Sequence, residues 1–432
     1  MIVLSAFVLA LLAAAPPSIE GEWLLTNDYF GNDYSTRLVL EVKGQAVSGT
    51  LARPGRKLPV KGTVQGIALR FEVEDGSEKS AYAGQLVDGR LEGTVLLTGG
   101  DSPAKEPPHR WQARRFAADK PAAPRVHDFE PKEFHRVFSA SIPPVLRVWP
   151  GDTIRSRTVD AGGVDERDQA RVLGGNPQTG PFYVEGAMPG DTLVVQVKKL
   201  RLNRSWAVSD DAFVSRALTP GYAEDHKQEW KDVYWTLDLA AGTARPTKPS
   251  ERLKGLVVPV KPMLGCVGVA PGFGGAPVRT ADSGRFGGNM DFNEVVEGST
   301  VYLPVAQPGA LLYFGDGHAL QGDGELNGNA LETSLAVEVT VDLVKEKRIG
   351  TPRVENATHV MAMGLGGSLD DAFREATSEL AAWVEKDYGL SGAEAAILLG
   401  ATIEYEISEV ADRNAGVVAK VAKRYLPAPK KN

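Results

Sequence analysis

The sequence is poor in cysteine, in clustered positive charge and in long apolar segments. Its 432 residues include one cysteine, Cys266, so no intrachain disulfide braces the fold and no Cys-rich zinc site can form. Lys+Arg 48 against Asp+Glu 55 leave a net charge of -7, without the basic stripe that phosphate neutralisation demands, so no nucleic acid is expected as a partner. One long uncharged, mostly apolar run stands out, MIVLSAFVLALLAAA at residues 1–15. It is short for a bilayer span and of the right length for a secretory core ending in small residues, although no Lys or Arg precedes it. The expectation is a signal peptide cut near Ala13 to Ala15, a periplasmic or secreted protein, and no stable membrane insertion once the signal is removed.

Nucleophile signatures are missing as well. There is no Gly-x-Ser-x-Gly elbow. Cys266 sits in the apolar run Leu264 to Val269 and reads as a core residue. Gly364-Leu365-Gly366-Gly367 lacks the later glycine and ribose-binding acid of a dinucleotide loop and reads as a helix-entry turn.

What the sequence does contain is glycine (47), proline (28) and 43% hydrophobic residues, the make-up of a loop-rich, mainly β globular protein. Between residues 18 and 117, eight β-type runs recur at about ten-residue spacing, with Lys43-Gly44, Asp75-Gly76 and Asp88-Gly89 at turns. They predict a small antiparallel barrel or sandwich of lipocalin-like texture. The Ala- and Pro-rich stretch at 118–127 reads as a linker, and 128–427 as the principal domain. In that domain Pro150-Gly151-Asp152 and Pro189-Gly190-Asp191 each lead into a β-branched run. Helices are predicted only late, one capped by Ser368 and ended by Gly389, a second opened by Ser391 with Glu394. A small α/β part therefore closes a mainly β chain.

Charge is distributed unevenly. The 59 residues from Phe286 to Val344 hold no Lys or Arg but nine acids: Asp291, Glu294, Glu297, Asp316, Asp323, Glu325, Glu332, Glu338 and Asp342. Such a window repels itself unless some acids reach solvent and others hold a cation. Within it, Gly315-Asp316-Gly317-His318-Ala319-Leu320-Gln321-Gly322-Asp323-Gly324-Glu325 sets carboxylates and a histidine among glycines that permit tight turns. Those are the donor types of a zinc site. Asp291, after Gly287-Gly288-Asn289-Met290, has the same texture. His135 and Asp160 are further candidates at the edges of predicted strands.

At these residues the chain resembles the acetamidase/formamidase family. The resemblance rests on Ile142 to Val148 with Pro150 to Thr153, on Asn176 to Pro181 with Val184 to Ala187, on Gly265 to Pro271, on Gly287 to Asp291, on Ser299 to Val305 and on Gly315 to Glu325. It implies a β-sandwich or barrel-like fold with a small α/β part, a homodimer, and hydrolysis of a short linear amide to carboxylate and ammonia. It also implies a divalent ion, zinc first and calcium second. Family motifs map onto Asp291, Asp316, His318, Asp323 and Glu325, with His135 and Asp160; a metal-assisted mechanism takes Asp291, Asp316 and His318, with His135, as ligands and Glu325, Asp323 and Asp160 as proton carriers, a division that spacing leaves open. The export signal and the first β module depart from the family pattern. They leave two alternatives: a secreted, catalytically idle binder of polar ligands, or an amidase for a larger amide.

Overall fold

The computed structural model describes residues 18–53, 55–100, 106–115, 120–226, 229–272 and 276–430. The proposed export segment and the first two residues of the 118–127 linker lie outside them. The chain forms two compact units, Met1–Ala118 and Asp119–Asn432. No helix among the described residues is long and apolar enough to cross a membrane.

The first unit is a closed antiparallel barrel of eight strands, Gly21–Tyr29, Asn32–Lys43, Ala46–Arg53, Arg56–Gln65, Ala68–Asp75, Glu78–Val87, Arg90–Gly99 and His109–Arg115, the last pairing back onto the first. Alternation explains the closure: Leu69, Phe71 and Val73 point inward from one strand while Ala68, Arg70 and Glu72 between them are exposed. The interior is filled by side chains, with the Phe71 and Tyr82 rings stacked 4.4 Å apart and Trp111 edge-on to both. Of the barrel and sandwich expected from the strand spacing, the barrel is the one formed.

The second unit is also mainly β. Two large sheets contribute to one core: Leu193, Val195, Val301, Val337 and Val339 from a nine-stranded sheet meet Phe182, Leu264, Val267, Leu312 and Phe314 from an eleven-stranded one. This is the sandwich-like body of the fold. Helices Leu369–Tyr388 and Gly392–Thr402 cover the end of the nine-stranded sheet. Ser368 and Ser391 cap them, the latter in a complete capping box, and Gly389 ends the first at φ 78°. The helix packs so closely that a Cβ on Gly364 would lie 1.8 Å from the carbonyl of Ala372, which is why this glycine run is a helix-packing turn and not a phosphate loop. Ala372, Ala376, Leu380, Trp383 and Val384 are buried, whereas Leu369 stays at the surface and Phe373, also exposed, packs its ring 4.8 Å from Tyr405 on the edge strand Glu404–Glu409.

Candidate metal centre

The strand Leu312–His318 crosses the middle of the eleven-stranded sheet and is buried at every residue. Asp316 and His318 are two apart, so they project from the same face. His318 pairs directly with Glu332 on one side and with Met263 on the other. Asp291 arrives from the turn after strand Gly287–Asn289, held by a hydrogen bond from its N–H to the carbonyl of Gly265. Glu325 arrives from the loop beyond His318. Asp291, Asp316 and Glu325 all have left-handed backbone, at φ 41°, 57° and 47°. Non-glycine residues adopt that conformation at a cost, and such cost gathers where a site must be built.

These side chains converge on a single point. His318 Nε2 lies 3.2 Å from Glu332 Oε1, 3.6 Å from Asp316 Oδ1 and 3.9 Å from Asp291 Oδ1. Ligands of a tetrahedral ion with bonds of about 2.1 Å stand roughly 3.4 Å apart, so the spacing is that of a donor set. The groups Asp291, His318, Glu325 and Asp316, His318, Glu332 each bring their donor atoms within 4.8 Å of one another.

Each acid is gripped on one side and left free on the other. Asn289 Nδ2 donates to Asp291 Oδ2 at 2.6 Å, and Asn176 Nδ2 donates to Asp316 Oδ2 at 3.1 Å. The opposite oxygens, Asp291 Oδ1 and Asp316 Oδ1, are buried without a hydrogen-bond partner, as are Glu332 Oε2 and His318 Nε2. Asp291 Oδ1 and Asp316 Oδ1 lie within 3.9 Å of His318 Nε2, and three buried polar atoms without partners so close together are a costly arrangement for a protein alone, which a cation would resolve.

The histidine tautomer follows from its neighbour. Gln321 Nε2 donates to the carbonyls of Asp291 and Ser408, at 2.5 and 3.1 Å, so its Oε1 faces His318 Nδ1 as an acceptor at 2.9 Å. Nδ1 therefore carries a proton and Nε2 faces the cluster, where it can ligate once its own proton is displaced. Gly265 supplies the room. A Cβ there would sit 2.5 Å from Asp291 Oδ1, 2.7 Å from Asp316 Oδ2 and 2.8 Å from His318 Cε1.

The electrostatics agree. Burial, then Glu325 and Asp316, push the Asp291 carboxyl well above its ordinary value. Burial does the same to Glu325, against the opposing pull of His318, and lifts Glu332 to about 7. At the margin, burial raises Glu409 to about 8 and Asp412 to about 6. Burial disfavours charge on His318, but Glu332 and Asp316 outweigh it and draw the imidazole upward. A divalent ion held by these donors would favour their deprotonated forms and so oppose the upward shifts of Asp291, Glu332 and His318.

Of the residues singled out from sequence, Asp291, Asp316, His318 and Glu325 meet here. Three do not. Asp323 is exposed and accepts a hydrogen bond from Asn293, because the turn at Gly322–Gly324 points it outward. His135 forms a bridge with Gln178 and sits against the Tyr313 ring, half-buried and outside both donor groups. Asp160 is buried nearby and outside both donor groups, with its carboxylate engaged by Arg204 Nη2 at 2.6 Å and by the N–H of Val164. Glu332 was visible only as one of nine acids. Glu409, Asp412, Asn176, Asn289 and Gln321 carried no local signal of their role.

The comparisons fit this geometry. The acetamidase/formamidase family model matches residues 124–275 and 272–421. A formamidase from Methylophilus methylotrophus is 24% identical over 353 residues, 65% of this chain and 86% of that protein. The solved acetamidase from Yersinia enterocolitica is 30% identical, covers 71% of this chain and 94% of its own, and superimposes with a TM-score of 0.61. A predicted acetamidase/formamidase from Thermoanaerobacter tengcongensis is 29% identical over 70% of this chain and 97% of its own, with a TM-score of 0.60.

Proposed function

Because the chain belongs to the acetamidase/formamidase family, we propose that it is an amidase that hydrolyses the C–N bond of a linear amide to a carboxylate and ammonia, with a divalent metal ion at the Asp291, Asp316, His318 and Glu332 cluster. The observation that carries the metal is the convergence of three unpartnered buried atoms, Asp291 Oδ1, Asp316 Oδ1 and His318 Nε2, with Glu332 Oε1 3.2 Å from the same nitrogen. One imidazole nitrogen among carboxylate oxygens suits zinc, with calcium as the alternative. When bound, the ion polarises the amide carbonyl and makes water a better nucleophile near neutral pH.

The chain's own residues supply the rest. Gln321 holds the proton on His318 Nδ1 and so keeps Nε2 available. Asn176 and Asn289 fix one oxygen of Asp316 and of Asp291, so that the free oxygens face inward. Glu325 is the proton carrier. The N–H of Ala330 anchors its Oε1 at 3.0 Å, and burial raises its affinity for a proton, which suits a group that takes a proton from water and returns it to the leaving nitrogen. Arg204 neutralises Asp160 behind Glu332 and keeps one more negative charge from the cluster.

The test is ammonia release from formamide, acetamide and larger amides by protein of measured metal content, before and after chelation. Chelator-sensitive release supports the reading. Release that survives complete metal removal rejects the metal, and no release from metal-loaded protein on any amide rejects the amidase. Export and a homodimer belong to the same proposal, the first resting on residues 1–15; fractionation of cells and analytical ultracentrifugation test them.

A further inference from the structure

One end of the eleven-stranded sheet is an arm of three short strands, Asp232–Asp238, Thr243–Pro246 and Val258–Pro259. One face of the arm is covered: Leu237 and Ala244 are buried with Ala207 and Ala319, and Trp235 and Val258 pack against them. Strand alternation turns Tyr234, Arg245 and Val257 to the opposite face, because Leu237 pairs with Ala244 and Ala244 with Val258. That face is open, with Tyr234 54% and Val257 56% exposed.

Two turns extend it. In the hairpin turn after Asp238, closed by the Gly242 N–H on the Asp238 carbonyl at 2.8 Å, Leu239 is 51% exposed. In the loop between Pro246 and Val258, the N–H of Leu253 donates to the carbonyl of Ser250 at 3.0 Å and that of Leu256 to the carbonyl of Leu253 at 2.9 Å. These bonds present Arg252, Leu253 and Lys254 to solvent, Leu253 at 50% exposure.

Positive charge gathers on the same arm. From Leu239 to Val260 stand Arg245, Lys248, Arg252 and Lys254 against one acid, Glu251, in a chain whose net charge is -7. Among the described residues Arg245, Lys248 and Arg252 enter no ion pair, and Lys254 meets Glu251 at 3.6 Å with both side chains open to water. Asp238 is occupied by the N–H groups of Ala240 and Ala241.

This combination selects a partner. Aliphatic side chains on turns, with cations between them, match the boundary of an anionic bilayer, where acyl chains receive the apolar groups and headgroup phosphates the cations. A tyrosine ring suits the headgroup level. A nucleic acid offers nothing to Leu239, Leu253 and Val257. A second copy offers few acids from the window of Phe286 to Val344, since all but Asp323 and Asp342 are buried or paired with Lys261, Arg201, Arg155 and Lys199.

We propose that this arm docks the protein on an anionic phospholipid surface, with Leu239, Leu253 and Val257 entering the boundary between headgroups and acyl chains and Arg245, Lys248, Arg252 and Lys254 facing lipid phosphates. Each basic residue near such a surface is worth about fivefold in partitioning, an effect that salt screens. The arm is tied to the candidate metal centre. The N–H of Lys261 donates to the carbonyl of Ala319, next to His318, at 2.8 Å, and the strand Trp206–Asp210 pairs with the arm on one side and with Glu332 on the other. Docking thus holds the centre at a membrane face whatever reaction it performs, and the proposal is independent of the amidase reading.

The experiment is sedimentation with sucrose-loaded vesicles, using protein that begins at Pro16 so that the apolar residues 1–15 contribute nothing. Vesicles of equal parts phosphatidylglycerol and phosphatidylcholine are compared with phosphatidylcholine alone, at low salt and at about 0.5 M NaCl. Wild type is expected to bind the anionic vesicles at least tenfold more tightly, with most of the preference lost in high salt. Lys248→Ser/Arg252→Ser/Lys254→Ser should abolish the preference, and Leu253→Ser/Val257→Ser should weaken binding at least fivefold with all charges kept. Circular dichroism verifies that both variants are folded. Equal binding to the two vesicle types overturns the proposal. So does binding that the apolar substitutions leave unchanged, which would mark a general polyanion site. Self-association that Leu253→Ser/Val257→Ser abolishes, without vesicle binding by wild type, would assign the arm to a second copy and overturn it equally.

Discussion

His318 Nε2 lies 3.2 Å from Oε1 of Glu332, its direct partner across two antiparallel strands. The two residues are 14 apart in the chain, and strand register alone makes them neighbours. That pairing anchors the donor set, because a ladder buried on both sides cannot slip by one residue without turning His318 and Asp316 away.

Removing the imidazole should remove the metal. His318→Ala is expected to purify with less than a tenth of the wild-type metal content by elemental analysis and with no amidase activity. Glu332→Gln should bind metal more weakly. Full metal content in His318→Ala would move the ion to the carboxylates alone.

Gln321 acts through His318, so its loss should appear first in affinity. Gln321→Leu removes the acceptor that holds the Nδ1 proton, and metal affinity should fall about 10- to 100-fold in competition with a chelating dye. Gln321→Glu keeps the acceptor for His318 Nδ1 but loses the donor to the carbonyls of Asp291 and Ser408, so it should lose affinity to a smaller extent than Gln321→Leu. Equal losses in both variants would point to packing as the cause.

Gly265→Ala places a methyl group 2.5 Å from Asp291 Oδ1. Crowding of this kind costs about 1–3 kcal/mol in a packed interior. Urea unfolding should register that loss, together with weakened metal binding. A variant as stable as wild type with an intact site would mean that the strand can move aside.

The metal-free protein should lose stability as pH rises. Burial, then Asp412, raise Glu409 to about 8 from an ordinary value of 4.5, so the folded state holds its proton across that window while the unfolded state releases it. The contribution is fully present below about pH 4.5 and is lost as pH climbs through 8, on the order of 5 kcal/mol at most. Urea unfolding of chelated protein at pH 5 and pH 8 measures the slope, and Glu409→Gln should flatten it. A chelated protein more stable at pH 8 than at pH 5 contradicts the sign.

Asp160 is a structural counter-ion. Asp160→Asn strands the guanidinium of Arg204 in a buried site and should cost about 3–5 kcal/mol in unfolding free energy. Metal content per folded molecule should stay at the wild-type level. Loss of metal without loss of stability would return Asp160 to the site.

Much of the fold was written locally. Eight alternating runs separated by glycine turns became eight barrel strands, and Ser368, Gly389 and the Ser391–Glu394 capping box stand where the two helices begin and end. These features were legible because pleat alternation and helix capping depend on residues a few positions apart. The site was legible in part. A stretch of 59 residues with nine acids and no Lys or Arg announced an unbalanced charge, and the structure divides it. Lys261 pairs with Glu294, Arg201 with Glu297, and Arg155 and Lys199 with Glu338, all from outside the window. Asp291, Asp316, Glu325 and Glu332 are left buried together.

Composition and spacing thus determined that this protein is mainly β, where its helices are capped, and that a segment rich in acids and glycine is the candidate for its chemistry. Tertiary structure decided which acids those are. It turned Asp323 to solvent, gave Asp160 to Arg204, left His135 beside Tyr313, and brought in Glu332, Glu409 and Asp412. The reason is physical. A donor set forms where cross-strand register and loop closure bring distant residues within a few ångströms, and the free energy of a buried carboxylate depends on the partner it meets there, which chain neighbours do not specify.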